Sequence, residues 1–109
     1  MNSTIIRVLG LKFKATATGA EIAAILNALN ALPQQISEIQ SLSGGFNISQ
    51  EGRNKGFTHI FVLSFRSAND LFGYAKHPAH DAFVKLLLTQ LEDSIELDCH
   101  EKGLGANRT

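Results

Sequence analysis

The hydrophobic positions of this chain change period as it runs. From Ile5 to Lys14 the residues are apolar and β-branched at first, then alternate, with Leu9, Leu11 and Phe13 on one face and Lys12 and Lys14 on the other. A period of two predicts a strand. Thr18 and Glu21 have the spacing of a capping box, in which hydroxyl and carboxylate each satisfy an orphaned amide at a helix start. Ile22, Ile25, Leu26 and Leu29 follow at helical spacing, and Leu32-Pro33 is expected to end that helix. Ile36 to Ile48 reads as a second strand, bulged or bent at Gly44-Gly45, and the polar run Asn47 to Lys55, closed by Gly56, reads as a loop. Phe57 to Arg66 is the clearest strand. Ser67 and Asp70 repeat the capping spacing before a short helix ending near Tyr74, and Pro78 restarts a helix whose Phe83, Leu86, Leu87, Gln90 and Leu91 share a face. Ile95 to His100 alternates as a last strand, and Gly103 to Thr109 form a polar tail expected to add nothing to the core.

The order is β-α-β-β-α-β, with the second helical unit broken near His77-Pro78. This predicts an α+β fold, a split βαβ arrangement with a four-stranded antiparallel sheet and both crossovers on one face. The sheet is apolar on both sides. In the Phe57–Arg66 strand, His59, Phe61, Leu63 and Phe65 point one way and Thr58, Ile60, Val62 and Ser64 the other; Ile6 and Val8 likewise oppose Leu9 and Leu11. Helices cover one face only, and a bare apolar sheet is unusual for a soluble monomer. A second copy, packed sheet to sheet about a two-fold axis around a barrel-like interior, is the expected cover.

Composition adds bounds. The 109 residues are 44% hydrophobic and 18% charged, which suits a single domain over 1–109. Ten basic residues balance ten acidic ones without a local basic cluster, which argues against nucleic acid as a partner. No secretory start and no bilayer-length apolar run are present, so no membrane association and a cytoplasmic location are expected. Cys99, the single cysteine, has no disulfide or CxxC partner and is expected to be a buried small hydrophobe near a strand end.

Three of the four histidines and the only tyrosine fall between His59 and His80. With Pro78 at the first helical position, His77 becomes the cap and His80 the third residue of the helix, where the positive helix terminus favours a neutral ring. A chain reversal before Pro78 would bring the Tyr74 phenol near that ring. His80 as base and Tyr74 as donor to a carbonyl would then form a general acid–base pair. Against this stand bland readings: His77 as a helix cap, Tyr74 as a packed ring, His59 as a satisfied core histidine or as part of a cavity wall beside His80. His77, His80 and Asp81 cluster, but without a third ligand at a defined angle, so no metal is expected. No phosphate loop or nucleophile elbow is present.

Leu11-Lys12-Phe13, Asn54-Lys55-Gly56-Phe57-Thr58-His59, Phe65, Tyr74-x-x-His77-Pro78-x-His80-x-x-Phe83 and Leu97-Asp98 together resemble the stress-responsive A/B barrel (Dabb) family, over roughly Ile5 to Glu101. The resemblance implies a ferredoxin-like protomer that dimerises into an α/β barrel, a stress-associated protein without a defined activity, and no cofactor. A cyclase of that family condenses a linear polyketide with a Tyr and a His at the positions of Tyr74 and His80, and matches His59. The resemblance therefore implies cofactor-independent cyclase or lyase chemistry next to a carbonyl, with His80 and Tyr74 catalytic and His59, His77 and Arg7 substrate-binding. Arg7 replaces a histidine of that cyclase. It would bind an acid, or merely pair with an acidic neighbour. The competing expectation is a non-catalytic stress or small-molecule-binding protein in which the same residues are structural.

Overall fold

The computed structural model describes residues 4–102, so the tail from Gly103 lies outside the described residues. The alternating start forms β1 (Ile5–Phe13). Helix α1 (Gly19–Gln35) opens with the expected capping box: the Thr18 hydroxyl accepts from the Glu21 amide at 3.1 Å, and the Glu21 carboxylate accepts from the Thr18 amide at 2.8 Å. The helix does not stop at Pro33. The proline removes one amide from the ladder, but Ile36 is fully buried and its amide donates to the Leu32 carbonyl at 2.8 Å, which holds the last turn. That extra turn delays β2, which spans Ile39–Phe46. Then follow β3 (His59–Phe65), α2 (Ala68–Lys76) capped by Ser67, α3 (Pro78–Leu88) and β4 (Leu91–His100).

The strands form one antiparallel sheet in the order β2-β3-β1-β4, a ferredoxin-like βαββαβ topology whose second crossover is divided into α2 and α3. Register fixes the faces. Ile5, Leu9 and Leu11 lie opposite Phe65, Phe61 and His59, all on the side the helices cover. There the apolar ones among them pack with Leu63, Ile25, Leu29, Leu32, Phe83 and Leu87 into the core. β4 begins four residues before the expected Ile95 because it pairs with β1 along its whole length, ending with Phe13 opposite Leu91 across a register shift. Glu92, Asp93 and Ser94 carry no apolar alternation, so only the pairing reveals them as strand.

The bulge expected at Gly44-Gly45 is elsewhere, between Ile39 and Ser41. Gly44 pairs regularly with Phe61 and serves another purpose: a Cβ there would run into the Ile60 carbonyl oxygen and the Phe61 ring. Glycine lets the β2 backbone lie flush on its neighbour.

The opposite face of the sheet carries Ile6, Val8, Ile60, Val62, Ile95 and Leu97, with Val8 between Val62 and Leu97 in the register. The helices lie on the other side; Leu97 is 58% exposed. Cys99 belongs to this face, opposite Ile6, and is exposed rather than buried as expected. Its place next to the strand end was foreseen, but the parity of β4 turns it away from the helices.

Gly44→Ala should lower the unfolding free energy by about 1–3 kcal/mol, since backbone rather than a yielding side chain blocks the methyl. An unshifted urea midpoint would contradict that packing.

Candidate functional site

The site grows out of the break between α2 and α3. His77 terminates the first helix, its amide donating to the Tyr74 carbonyl at 3.1 Å, and caps the second, its Nδ1 accepting from the Ala79 amide at 3.0 Å. Pro78 occupies the first helical position, where no amide is needed. One residue thus ends one helix and starts the next. The last turn of α2 and the first turn of α3 are thereby folded against each other, and the rings of Tyr74 and His80 meet with centroids 4.6 Å apart. Tyr74 is buried, its other side against Phe65 at 5.0 Å. The Nδ1 of His80 is shut away from solvent with no hydrogen-bond partner among the described residues. A buried polar atom left unpaired costs about 1–3 kcal/mol, and its retention marks a position where a ligand or water can supply the missing bond.

Burial holds the His80 imidazole below the usual histidine range, opposed by Asp81; Arg7 pushes it the same way as burial, while Glu96 and the Ala75 carbonyl act against it. The shift runs in the direction inferred from the helix terminus, toward the neutral ring, but desolvation is its leading cause. Burial also raises the Tyr74 phenol, with Arg7 acting against it, so the hydroxyl keeps its proton at neutral pH. An uncharged base thus stands beside a phenolic donor.

Arg7 reaches this pair from β1. Its side chain is 13% exposed and its guanidinium carbon lies 5.9 Å from the centre of the Tyr74 ring. Of the two roles left open for it, pairing with an acidic neighbour is what the structure contains. Nε donates to Asp98 Oδ1 at 2.8 Å, Nη2 to Asp98 Oδ2 at 3.1 Å, and Nη1 lies 3.7 Å from Glu96 Oε2. The hydrogen bond to Asp98 raises the guanidinium further and holds the Asp98 carboxyl below its ordinary value. Asp98 and Glu96 escaped the sequence reading as site residues. Their signal was the alternation of Ile95, Glu96, Leu97 and Asp98, which sends both carboxylates to the helix side.

His59 is placed differently. It shares a face with Phe61, Leu63 and Phe65 as read, on the helix side, and is buried, but its ring contacts are with Phe13 at 5.2 Å and Phe46 at 4.8 Å, and its Nδ1 shares a 2.8 Å hydrogen bond with the Thr58 hydroxyl. It lies across from Leu11, four residues along β1 from Arg7, or about 13 Å. The structure therefore joins Arg7, Tyr74 and His80, with His77 behind them as the cap, and sets His59 in an aromatic cluster farther along the sheet. A groove of about 400 Å3 between α1 and α3, walled by Ala28, Leu32, Ala79, Phe83 and Leu86 among others, has neither Tyr74 nor His80 in its lining. Among the described residues no three His, Cys, Asp or Glu side chains converge to hold a metal ion.

Fold and site define a two-layer α+β domain with a desolvated His/Tyr pair at a helix break and one apolar sheet face uncovered by its own helices. The chain belongs to the stress responsive A/B barrel domain family, Dabb, whose model matches residues 5–101. It is 29% identical to the stress-response A/B barrel domain-containing protein HS1 of Arabidopsis thaliana over 84% of each chain. It is 30% identical to olivetolic acid cyclase of Cannabis sativa over 67% of this chain and 72% of the cyclase. Among solved structures, hydroxynitrile lyase from Passiflora edulis superposes with a TM-score of 0.91 at 18% identity, over 97% of this chain and all of the lyase, which shows the shared fold. An Arabidopsis thaliana crystal structure superposes with a TM-score of 0.87 at 25% identity, over 94% of this chain and 99% of that one. No helix among the described residues is long and apolar enough to cross a membrane.

His59 and His80 are both held below the ordinary value of 6.5 by burial. The unfolded chain therefore takes up protons first as pH falls below that value, and stability, intact above it, should decline from there until the folded-state values are passed. Denaturant midpoints measured downward from neutral pH should fall in this window. A His59→Phe, His80→Phe double variant should show a flatter profile there.

Proposed function

We propose that this Dabb protein is a homodimer with a small-molecule site at Tyr74 and His80, where cofactor-independent proton transfer takes place next to a carbonyl. The observation that carries this reading is the buried, unpartnered Nδ1 of His80 in ring contact with Tyr74. In the proposed step a carbon–hydrogen bond next to the carbonyl breaks, His80 takes the proton, and the Tyr74 hydroxyl donates to the carbonyl oxygen on which negative charge collects. The resulting enolate is the nucleophile a cyclase needs or the leaving fragment of a lyase. Similarity to olivetolic acid cyclase over the segment supports this class of chemistry. His77 enters as the residue that sets the angle between the two helices, since its Nδ1 is committed to the cap. His59 lines the interior farther along the sheet. The family name supports a stress-associated role.

The second copy covers the face of Ile6, Val8, Ile60, Val62, Ile95 and Leu97. Ferredoxin-like structures from Bacteroides fragilis and Thermobifida fusca, described as dimeric, show that this fold has been solved in that state.

Two experiments test the reading. His80→Phe keeps a ring of similar shape and deletes the unpaired nitrogen, so stability should hold or rise by about 1 kcal/mol. The same variant should lose any acceleration of α-proton exchange that the native protein gives a simple ketone in heavy water; no acceleration by the native protein would overturn the base assignment. Light scattering at micromolar concentration should return twice the chain mass, and Val62→Lys should halve it. A native monomer would remove the proposed cover of the sheet.

A further inference from the structure

We infer that the Tyr74–His80 site accepts an uncharged carbonyl compound and rejects carboxylates and phosphates, because Arg7, the one cation that reaches it among the described residues, is already engaged by Asp98 and Glu96. This rests on the reading of Tyr74 and His80 as a ligand site. An exposed arginine beside a carbonyl site would ordinarily be taken for an anion anchor, since its planar fork matches a carboxylate. Here one edge of the fork is in use and the other faces a carboxylate at ion-pair distance. Nε and Nη2 both point at Asp98, Nη1 turns toward Glu96, and only 13% of the side chain meets solvent. A substrate carboxylate reaching for the remaining N–H groups of Arg7 would have to settle close to the Asp98 and Glu96 carboxylates, like charges that oppose it.

The charges around the pair point the same way. Arg7 comes from β1, Glu96 and Asp98 from β4, and Asp81 from the first turn of α3 beside His80. With the imidazole uncharged, one positive charge stands against three negative ones. An anionic ligand meets net repulsion at close range, whereas a ketone, aldehyde or ester meets none and still finds the Tyr74 hydroxyl as a donor. The paired Arg7 is then a positioning residue. Held by Asp98, it lies against the Tyr74 ring and keeps that ring in place facing His80.

Methyl acetoacetate and acetoacetate share a skeleton and differ by the charge, so they separate the alternatives. Tyr74 is the sole tyrosine of the chain, and its ring-proton signals report on the site without interference. In an NMR titration of the full-length protein at neutral pH, the ester should shift those signals with an affinity at least about tenfold above that of the acid, the size of effect one unscreened charge contact produces. Glu96→Gln, at a half-exposed position that leaves the Arg7–Asp98 bonds intact, should narrow the gap, and Asp98→Asn should narrow it further. Acetoacetate binding as tightly as the ester, or a gap unchanged in Glu96→Gln, would overturn the inference while leaving the ligand site in place. Silence from both probes at tens of millimolar would overturn the ligand site and this inference with it.

Discussion

A four-stranded sheet that is apolar on both faces, with helices enough to cover only one, is the constraint on which this molecule rests. β1 and β3 run side by side at its centre, and each alternates between two sets of hydrophobic side chains. One set, Leu9, Leu11, Phe61, Leu63 and Phe65, meets the helices and forms the core. The other, Ile6, Val8, Ile60 and Val62, is left on the far side. Apolar area kept in water is a standing cost, and association with a like surface is the ordinary way to remove it.

The same layering positions the chemistry. Tyr74 and His80 stand on separate helices, yet the short link of His77 and Pro78 fixes their mutual approach, because one imidazole satisfies the start of a helix while its amide satisfies the end of another. The sheet below contributes Arg7 and, through β4, the acidic residues that hold it. Desolvation by the core then keeps the imidazole uncharged and the phenol protonated. The proposed proton transfer calls for this pair of states at neutral pH; burial reinforces the protonation a phenol already has in water and moves the imidazole away from its ordinary value near 6.5.

Much of the fold was legible in the residues. The capping pairs Thr18–Glu21 and Ser67–Asp70, Pro78 at a helix start and the alternation from Phe57 to Arg66 are local signals, and each appears where it was read. Pro33 misled because a buried Ile36 one turn later outweighed a missing hydrogen bond. The glycines at 44 and 45 were read as a bulge or bend, whereas Gly44 answers to contact with Ile60 and Phe61 on a neighbouring strand. Cys99 was read as buried because a lone cysteine without a disulfide or CxxC partner behaves as a small hydrophobe; the parity of its pairing with Ile6 decided otherwise.

What this sequence determined by itself was the order of elements, the two-faced sheet and the meeting of Tyr74 with His80, for those follow from periodicity and from a cap that spans neighbouring residues. Only the tertiary structure decided that Arg7 belongs to Asp98 and Glu96, and that His59 keeps company with Phe13 and Phe46 instead of His80. These pairings join residues far apart in the chain. They depend on which strands are neighbours and in what register: alternation tells which residues share a face, but not which partner stands opposite.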